Sequence, residues 1–325
     1  MKIDIQCHCF PEQVIQRLER RTDFPRVVRA DGMTKLLVSP TTVWPIPPGM
    51  NDFPLKLEIM DKTGVDVQVL SLNVPGPERL QGPEADELAR VAHDALAEAI
   101  QHRPDRFWGI ATLGFHDMDA SLRELDRAVK TLGFKAVQLF SNLRGKGLDD
   151  PFLHPFYARC QEMNLPIFLH PTVPVMEAAA AEYHLNAMVG FLFDTTLAAL
   201  RLILSGTLEK FPRLTFVLPH VGSTIPYLMG RIDHLSGFLP GGRQHISKAP
   251  SEYFKRFYVD SVASYQPAID YCYNLVGADR ILFGTDYPWV PVELSNALVE
   301  GMPISKEERE KIFGGNALRL LRKQP

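Results

Sequence analysis

The feature that most constrains this chain is a repeated pattern, in which a short apolar run ends on a histidine or an aspartate. Four such runs end at His8, His170, His220 and Asp286. A short apolar run bounded by turn residues is typical of a buried strand. If these strands lie parallel, their ends meet, and three imidazoles and one carboxylate converge. That combination indicates a divalent-metal site for hydrolytic or lyase chemistry.

Eight apolar runs along the chain predict strands, and most of them are continuous in Val, Ile, Leu and Phe, as strands covered on both faces require. Amphipathic helical patterns lie between them, for example at residues 84–103 and 120–132. Alternating strands and helices in 325 residues predict a single α/β domain over residues 1–325, a (β/α)8 TIM-type barrel. The predicted strands are residues 2–9, 65–72, 107–113, 135–140, 166–170, 214–219, 257–261 and 280–285.

Two segments depart from a plain barrel. Residues 10–54, after the first predicted strand, are rich in proline and aromatic residues. A loop of this length at the catalytic rim is usually functional, so we expect a lid-like insertion. Residues 186–204 read as a helix that is apolar on nearly all sides. We expect this helix to be buried, within the chain or between subunits.

Composition narrows the possible partners. The net charge is −3, the isoelectric point is about 6.4, and no run is rich in Lys or Arg. We therefore expect neither a nucleic acid nor a membrane partner, but a small molecule. No uninterrupted apolar run reaches the ~20 residues that cross a bilayer. Four cysteines without a C-x-x-C pair fit a reducing compartment, so we predict a cytoplasmic protein.

The first strand offers two side chains to the barrel mouth. Because side chains on a strand alternate between faces, Gln6 and His8 point one way while Cys7 and Cys9 point the other. A Cys-His-Cys metal site is therefore disfavoured, since the two sulfurs cannot reach an ion that His8 reaches. The cysteines should instead pack against the surrounding helices.

The other strand ends carry the remaining candidates. His170 is predicted to be a metal ligand, although a histidine before a proline can also be purely structural. His220 lies on a strand away from the first and suits a general acid or base, with an ordinary metal ligand as the alternative. Asp286 is predicted to be a ligand or a proton shuttle beside the ion, and could otherwise cap the following helix.

With these residues in place, the chain resembles the amidohydrolase-related decarboxylases. The matching phrases run in order from end to end of the chain. They are Met1-Lys-Ile-Asp-Ile-x-x-His8, Met60-Asp-Lys-x-Gly-Val65, Pro151-x-x-x-Pro-x-Tyr157, Phe168-x-His-Pro171, Leu208-Glu-Lys-Phe-Pro-Arg-Leu214, His220-x-Gly222, Gly230-Arg-Ile232, Gly284-Thr-Asp-Tyr-Pro288 and Gly315-Asn-Ala317.

This resemblance implies a (β/α)8 fold with one divalent metal ion, zinc in some members and manganese in others. It places His8, His170 and Asp286 on ligand positions and His220 on the catalytic base. Arg231 matches an arginine that, in the family's dimers, can reach the neighbouring subunit's site and hold a substrate carboxylate. A surface or interface salt bridge is the alternative for Arg231.

The sequence departs from the family at Gln6, where members usually have histidine or glutamate as the first ligand. An amide oxygen can coordinate, but more weakly and without charge. Gln6 is therefore either a weak ligand or a substrate contact. The insertion also lacks an arginine that one member has shortly before its first helix. Here that stretch begins at Trp44, which we predict to bind substrate.

Together these observations predict a metal-dependent, non-oxidative decarboxylase of a small unsaturated or aromatic carboxylic acid. We expect one zinc ion, with manganese as the alternative, and a homodimer or higher oligomer. His220 and Asp286 would handle the proton that replaces the carboxylate. Two alternatives stay open: a hydrolase or hydratase, such as a lactonase, on the same metal site, or a barrel whose impaired first ligand has ended catalysis.

Overall fold

The predicted barrel is present in the computed structural model, which describes residues 1–40 and 42–321. Eight parallel strands pair in sequence order, each with the next. Their number and order confirm the (β/α)8 expectation, although the later strands are shorter than predicted. Numbering all strands in chain order, the barrel strands are β1 (Ile3–Cys9), β5 (Val67–Leu72), β6 (Phe107–Thr112), β7 (Ala136–Phe140), β8 (Ile167–His170), β9 (Phe216–Leu218), β10 (Tyr258–Asp260) and β11 (Ile281–Leu282).

The barrel closes where β1 meets β11 and the segment that follows it. Backbone N–H groups of Ile5 and His8 donate to Phe283 O (2.9 Å) and Tyr287 O (2.8 Å). The buried carboxylate of Asp4 accepts from both the backbone N–H (3.0 Å) and the hydroxyl (2.7 Å) of Thr285. A buried carboxylate is stable only when it is hydrogen-bonded in this way. The seam therefore fixes β1, which carries His8, against the segment that carries Asp286.

Helices cover the outside of the barrel, and apolar side chains fill two layers. Ile3, Ile5 and Val69 lie in the cluster inside the strands, whereas Leu139 and Leu202 belong to the larger cluster between strands and helices. The helices are α1 (Glu12–Glu19), α2 (Phe53–Thr63), α3 (Pro83–His102), α4 (Met118–Lys130), α5 (His154–Glu162), α6 (Phe191–Leu204), α7 (Thr207–Lys210), α8 (Ile225–Phe238), α9 (Pro250–Phe254), α10 (Gln266–Val276), α11 (Val292–Glu300), α12 (Lys306–Glu310) and α13 (Asn316–Leu321).

The segment of residues 10–54 is folded rather than an irregular loop. It contains α1 and a three-stranded antiparallel sheet of β2 (Arg26–Ala30), β3 (Met33–Leu37) and β4 (Val43–Pro45). Side chains from α1, β2 and β3 share an apolar cluster with Leu88 of α3. The sequence reasoning missed this because none of the four elements exceeds eight residues, and short elements carry little periodic signal.

The apolar stretch Asn186–Leu204 forms a π-helical turn, Asn186–Gly190, followed by α6. By length and composition it could cross a membrane, and 44% of its most apolar window is buried in the fold. Within one chain, the prediction of a buried helix is wrong for the outer face, where Met188 is 66% and Leu197 48% exposed. Burial of that face between subunits stays a prediction.

Candidate metal centre and active-site pocket

His8 reaches the barrel mouth because β1 changes register partway along. Its pairing with β5 is irregular between Asp4 and Cys7. Before the irregularity, Ile3 packs inside the barrel. Above it, Cys7 and Cys9 pack in the outer cluster between strands and helices, as predicted. A bulge of this kind redirects a side chain, and here it leaves His8 facing the mouth.

The structure brings His8, His170 and Asp286 together. His8 Nε2 lies 2.8 Å from Asp286 Oδ1 and 3.2 Å from His170 Nε2. The candidate ligand atoms of the three residues all lie within 4.8 Å of one another. These side chains come from the first, fifth and eighth barrel strands or the segments directly after them. Their meeting point is the carboxyl-terminal edge of the barrel, where such folds carry their active sites.

The hydrogen bonds at Nδ1 of the two histidines direct Nε2 of each ring towards this point. His170 Nδ1 donates to the carbonyl oxygen of Pro171 (2.7 Å), so Nε2 of the neutral ring carries the lone pair. Burial, together with the neighbouring His8, holds the pKa of His170 well below its usual value. His8 Nδ1 lies 3.1 Å from the hydroxyl of Ser71. Outer partners that fix Nδ1 are typical of metal-ligating histidines.

The carboxylate completes a donor set that fits a divalent cation. Burial opposes its ionisation, but the neighbouring imidazoles of His220 and His8 hold the pKa of Asp286 well below its usual range. Two imidazole nitrogens and one charged oxygen suit zinc or manganese better than calcium or magnesium, which prefer oxygen donors. His8, His170 and Asp286 are therefore the residues that would hold the ion.

Gln6 lies at the edge of this group. Its side chain is almost fully buried, and Nε2 is 3.4 Å from Asp286 Oδ1. In this orientation the amide donates towards the carboxylate, and a half-turn about the last side-chain bond would present the oxygen instead. Gln6 is therefore close enough to act either as a weak fourth ligand or as a support for Asp286.

His220 stands on the opposite side of Asp286 from His8. Its Nε2 lies 3.9 Å from Asp286 Oδ2, and it is not one of the three clustered ligand residues. Burial would lower the pKa of His220, but the neighbouring carboxylates of Asp286 and Asp260 raise it above its usual value. An imidazole that can hold a proton beside the ligand group suits acid–base chemistry.

A cavity of about 200 Å³ opens above these residues. This is smaller than the ~300–1,000 Å³ sites that bind drug-sized molecules, and it suits a single-ring compound. Trp44, from the insertion, packs edge-on against Phe191 with ring centroids 5.8 Å apart. The indole N–H of Trp289 donates to Asn73 Oδ1 (3.3 Å). The described lining residues include neither lysine nor arginine; they are Trp44, Asn73, Val74, His170, Pro171, Ala187, Phe191, His220, Asp286 and Trp289.

Arg231 does not reach this pocket within one chain. It lies on the exposed side of α8. None of the described residues forms a hydrogen bond or ion pair with its side chain. A contact with substrate would therefore require a second copy of the chain.

Several lining residues were missed by sequence reasoning. Asn73 follows directly after the apolar run of β5, a signal like the one that identified His170 at the end of β8. Trp289 lies three positions beyond Asp286, directly after the phrase Gly284-Thr-Asp-Tyr-Pro288 already singled out. Phe191 had no such signal, because its place at the pocket depends on how α6 packs.

A buried lysine under the site was also missed. The ammonium group of Lys56 donates to His8 O (2.8 Å) and lies 3.2 Å from Cys7 Sγ. It also lies 4.8 Å from the centre of the Tyr287 ring, a cation–π contact. Lys56 is fully buried. It therefore ties β1 to the residue after Asp286 and supports two ligand-bearing segments at once.

Comparison with known proteins agrees with this geometry. The sequence profile of the amidohydrolase family matches residues 3–323. The chain is 29% identical over 336 aligned residues to 2-amino-3-carboxymuconate-6-semialdehyde decarboxylase of Dictyostelium discoideum, covering 100% of this chain and 92% of that protein. It is 34% identical over 288 residues to gamma-resorcylate decarboxylase of Rhizobium radiobacter, covering 82% and 86%.

Solved structures give the same result. The 5-carboxyvanillate decarboxylase of Sphingomonas paucimobilis superposes with a TM-score of 0.87 at 28% identity, covering 99% of this chain and 98% of that one. A dihydroxybenzoic acid decarboxylase from Polaromonas, with bound manganese and the inhibitor 2-nitroresorcinol, gives 0.82 at 28% identity, covering 99% and 96%. The predicted resemblance is confirmed: the chain belongs to the amidohydrolase family and is an enzyme of the carboxy-lyase type.

Proposed function

We propose that this protein is a metal-dependent, non-oxidative decarboxylase of a small aromatic or unsaturated carboxylic acid. The observation that carries the proposal is the convergence of three side chains beside His220: His170 Nε2 and Asp286 Oδ1 lie 3.2 and 2.8 Å from His8 Nε2. A divalent ion held by His8, His170 and Asp286 would act as a Lewis acid that stabilises charge developing as carbon dioxide leaves. The hydrolase, hydratase and impaired-barrel alternatives are not favoured, because the relatives reported above are decarboxylases.

The chain's own residues divide the remaining work. When the carbon–carboxylate bond breaks, its electron pair stays on the substrate carbon and a proton must replace the carboxylate. His220 and Asp286, with Nε2 and Oδ2 3.9 Å apart, would hold and deliver that proton. Trp44, Phe191 and Trp289 would pack against the substrate ring and exclude water.

The pocket composition supports a monocarboxylate substrate. A second carboxylate would need a cation, and the described lining residues provide none. A compound with one ring and one carboxylate fits better than a dicarboxylate, unless Arg231 of a second subunit contributes. We therefore expect hydroxylated benzoates to be better substrates than muconate-type acids.

Carbon dioxide release from a panel of acids tests the proposal. The relatives' substrates supply the panel: 2,6-dihydroxybenzoate, 6-methylsalicylate, 5-carboxyvanillate and 2-amino-3-carboxymuconate-6-semialdehyde. Several lactones serve as the comparison. We expect release from at least one benzoate, with His220→Ala lowering turnover at least a hundredfold while bound metal stays nearly unchanged. Lactone hydrolysis without any carbon dioxide release would refute the decarboxylase assignment, and loss of metal in H220A would make His220 a ligand.

The identity of the metal belongs to the same proposal. Zinc suits the two imidazoles and the carboxylate, and manganese is bound in the Polaromonas structure. Elemental analysis of protein purified without chelator, followed by reconstitution with each ion, distinguishes them. We expect one ion per chain and highest turnover with zinc. Substoichiometric metal with no rescue by either ion would instead favour a barrel that has lost catalysis.

We further propose that the protein is a homodimer in the cytoplasm. The outer face of α6 exposes Phe193 and Leu197, and the adjoining α8 exposes Tyr227 and Phe238 on the same side as Arg231. Thr195 Oγ1 lies 2.6 Å from Ser223 Oγ, in the turn before α8, so the two helices adjoin and we treat their exposed apolar side chains as one region. Burying that region against a second copy would remove it from water. Four free, buried cysteines fit a reducing compartment.

Sedimentation of the protein and of Leu197→Asp tests this assembly. We expect a dimer that the aspartate converts to monomer, with little change in the helical circular dichroism. Arg231→Ala should then raise KM for a panel acid several-fold without changing the oligomeric state. A monomeric wild-type protein would contradict the dimer, and an unchanged KM would return Arg231 to a surface role.

A further inference from the structure

The turn that carries His220 is held in an unusual backbone conformation. His220, Val221 and Ser223 have φ angles of 55°, 48° and 60°, in the left-handed region. Few residues other than glycine adopt this region, and for a β-branched residue such as Val221 it is an outlier. Conformations of this kind persist only where surrounding contacts impose them, and they cluster at functional sites.

The side chain of Asp260 is one of the contacts that hold this turn. Asp260 ends β10, next to β9, and is fully buried. Its Oδ1 accepts hydrogen bonds from the backbone N–H of Val221 (3.2 Å) and of Val262 (3.0 Å). One carboxylate oxygen therefore links the residue after His220 to the neighbouring strand end.

Two buried polar atoms in this region have no hydrogen-bond partner among the described residues: Asp260 Oδ2 and His220 Nδ1. The acidic groups that act on His220 are Asp286 and Asp260. Asp286 lies on the Nε2 side of the ring, 3.9 Å away. The Nδ1 side of the ring is therefore the side open to Asp260, where an Nδ1–H as donor would match Oδ2 as acceptor.

We propose that Asp260 is a positioning residue for His220, whose Nδ1–H donates to the second carboxylate oxygen of Asp260 across one bridging water. Asp260 also lines, with Pro219, an interior cavity of about 10 Å³, the size of one water molecule. The bond keeps the proton of the neutral ring on Nδ1, so the lone pair of Nε2 faces Asp286 and the pocket. The turnover readout of this inference rests on the proposed function, whereas its spectroscopic readout does not.

Asp260→Asn separates positioning from folding. The asparagine oxygen can still accept from Val221 and Val262, so the turn keeps its anchor. The amide NH₂ that replaces Oδ2 cannot accept a hydrogen bond, so the Nδ1–H of His220 loses its acceptor. Asparagine in place of a histidine-orienting aspartate lowers turnover by about 10⁴-fold in serine proteases through the wrong tautomer.

The tautomer is read by ¹⁵N NMR of histidine-labelled protein, with the His220 signals assigned by their loss in His220→Gln. We expect a protonated Nδ1 in the wild type and a shift towards protonated Nε2 in Asp260→Asn. The matched control is Glu78→Gln, a buried carboxyl group that also has an unpartnered oxygen but does not act on His220. It should leave the His220 signals unchanged.

Kinetics with a panel acid complete the test. Asp260→Asn should lower kcat at least about tenfold, with KM within about threefold and bound metal unchanged, because substrate and ligand contacts are intact. Wild-type tautomer signals in Asp260→Asn would overturn the proposal. If no panel acid is decarboxylated but the tautomer still shifts, the proposed function fails while the positioning role of Asp260 stands.

Discussion

The two sides of the pocket are built in different ways. His8, His170, His220 and Asp286 form a polar floor, and each follows directly from a barrel strand or its end. Trp44, Phe191 and Trp289 form an aromatic wall from the insertion, from α6 and from the segment after Asp286. The floor is tied to the barrel by buried hydrogen bonds, such as those of Asp4 and Lys56. The wall rests on packing between separate segments.

This difference assigns separate roles to the two sides. The floor fixes the position of charges and lone pairs, which is what bond cleavage and metal binding require. The wall determines the shape of the space above them and can change without moving the floor. Substitutions in the floor should therefore affect metal and turnover, and substitutions in the wall should affect the choice of substrate.

The largest effect is expected from Asp286→Asn. The substitution keeps the shape of the side chain but removes the only negative charge among the three clustered candidate ligand residues. Loss of even an outer partner costs about 10–100-fold in metal affinity, so we expect at least a hundredfold loss here. Metal content after dialysis and carbon dioxide release measure it. Trp289→Phe in the wall is the control and should keep its metal; equal metal loss in both variants would remove the distinction between floor and wall.

The floor was predictable from sequence for the same reason that it is rigid. His8, His170 and Asp286 each end an apolar run. The ends of parallel barrel strands meet at one edge, and this does not depend on the conformation of the loops. The wall was only partly predictable. Trp44 was identified by its place in the insertion, but Phe191 lies in a helix whose orientation depends on tertiary packing. The pairing of Lys56 with His8 O, or of Asp260 with the Val221 turn, also depends on contacts between distant segments.

A second prediction concerns the support behind the floor. Glu78 is fully buried and accepts a hydrogen bond from the hydroxyl of Thr172 (2.7 Å), two residues after His170. Burial raises its pKa from 4.5 to about 7. Between pH 4.5 and 7 the unfolded chain loses this proton while the folded chain keeps it. The stability contributed by the raised pKa is therefore complete below pH 4.5 and is lost as the pH rises to 7.

Glu78→Gln removes this titration. From pH 4.5 to pH 8 the wild type should therefore lose about 3 kcal/mol of unfolding free energy relative to Glu78→Gln, which has no group to titrate at this position. Urea unfolding at the two pH values measures it, and comparing one variant at two pH values cancels any constant packing cost. A difference that does not change with pH would show that Glu78 titrates normally and that the support carries no electrostatic strain.

A smaller effect is expected when charge is added to the floor. In Gln6→Glu, a second carboxylate would lie close to Asp286, because the present amide nitrogen is 3.4 Å from Asp286 Oδ1. Two like charges destabilise the metal-free protein, whereas a bound cation compensates them. We expect metal affinity to rise about tenfold and the melting temperature of the chelated protein to fall. Competition with a metallochromic indicator measures the affinity. An unchanged affinity would place Gln6 outside the ligand sphere and leave it as a substrate contact.

The smallest effect is expected in the wall, from Trp44→Leu. The indole packs edge-on against Phe191, and an aromatic pair contributes about 0.5–1.5 kcal/mol beyond its buried area. Losing it should raise KM for a benzoate by about 2–12-fold while kcat and metal content stay the same. Val43→Ala, in the neighbouring and more exposed position of β4, is the matched control and should change neither constant. A side chain that only shapes the space above the floor cannot change what the floor binds. If Trp44→Leu instead lowered kcat and released metal, the wall would therefore be part of the catalytic support.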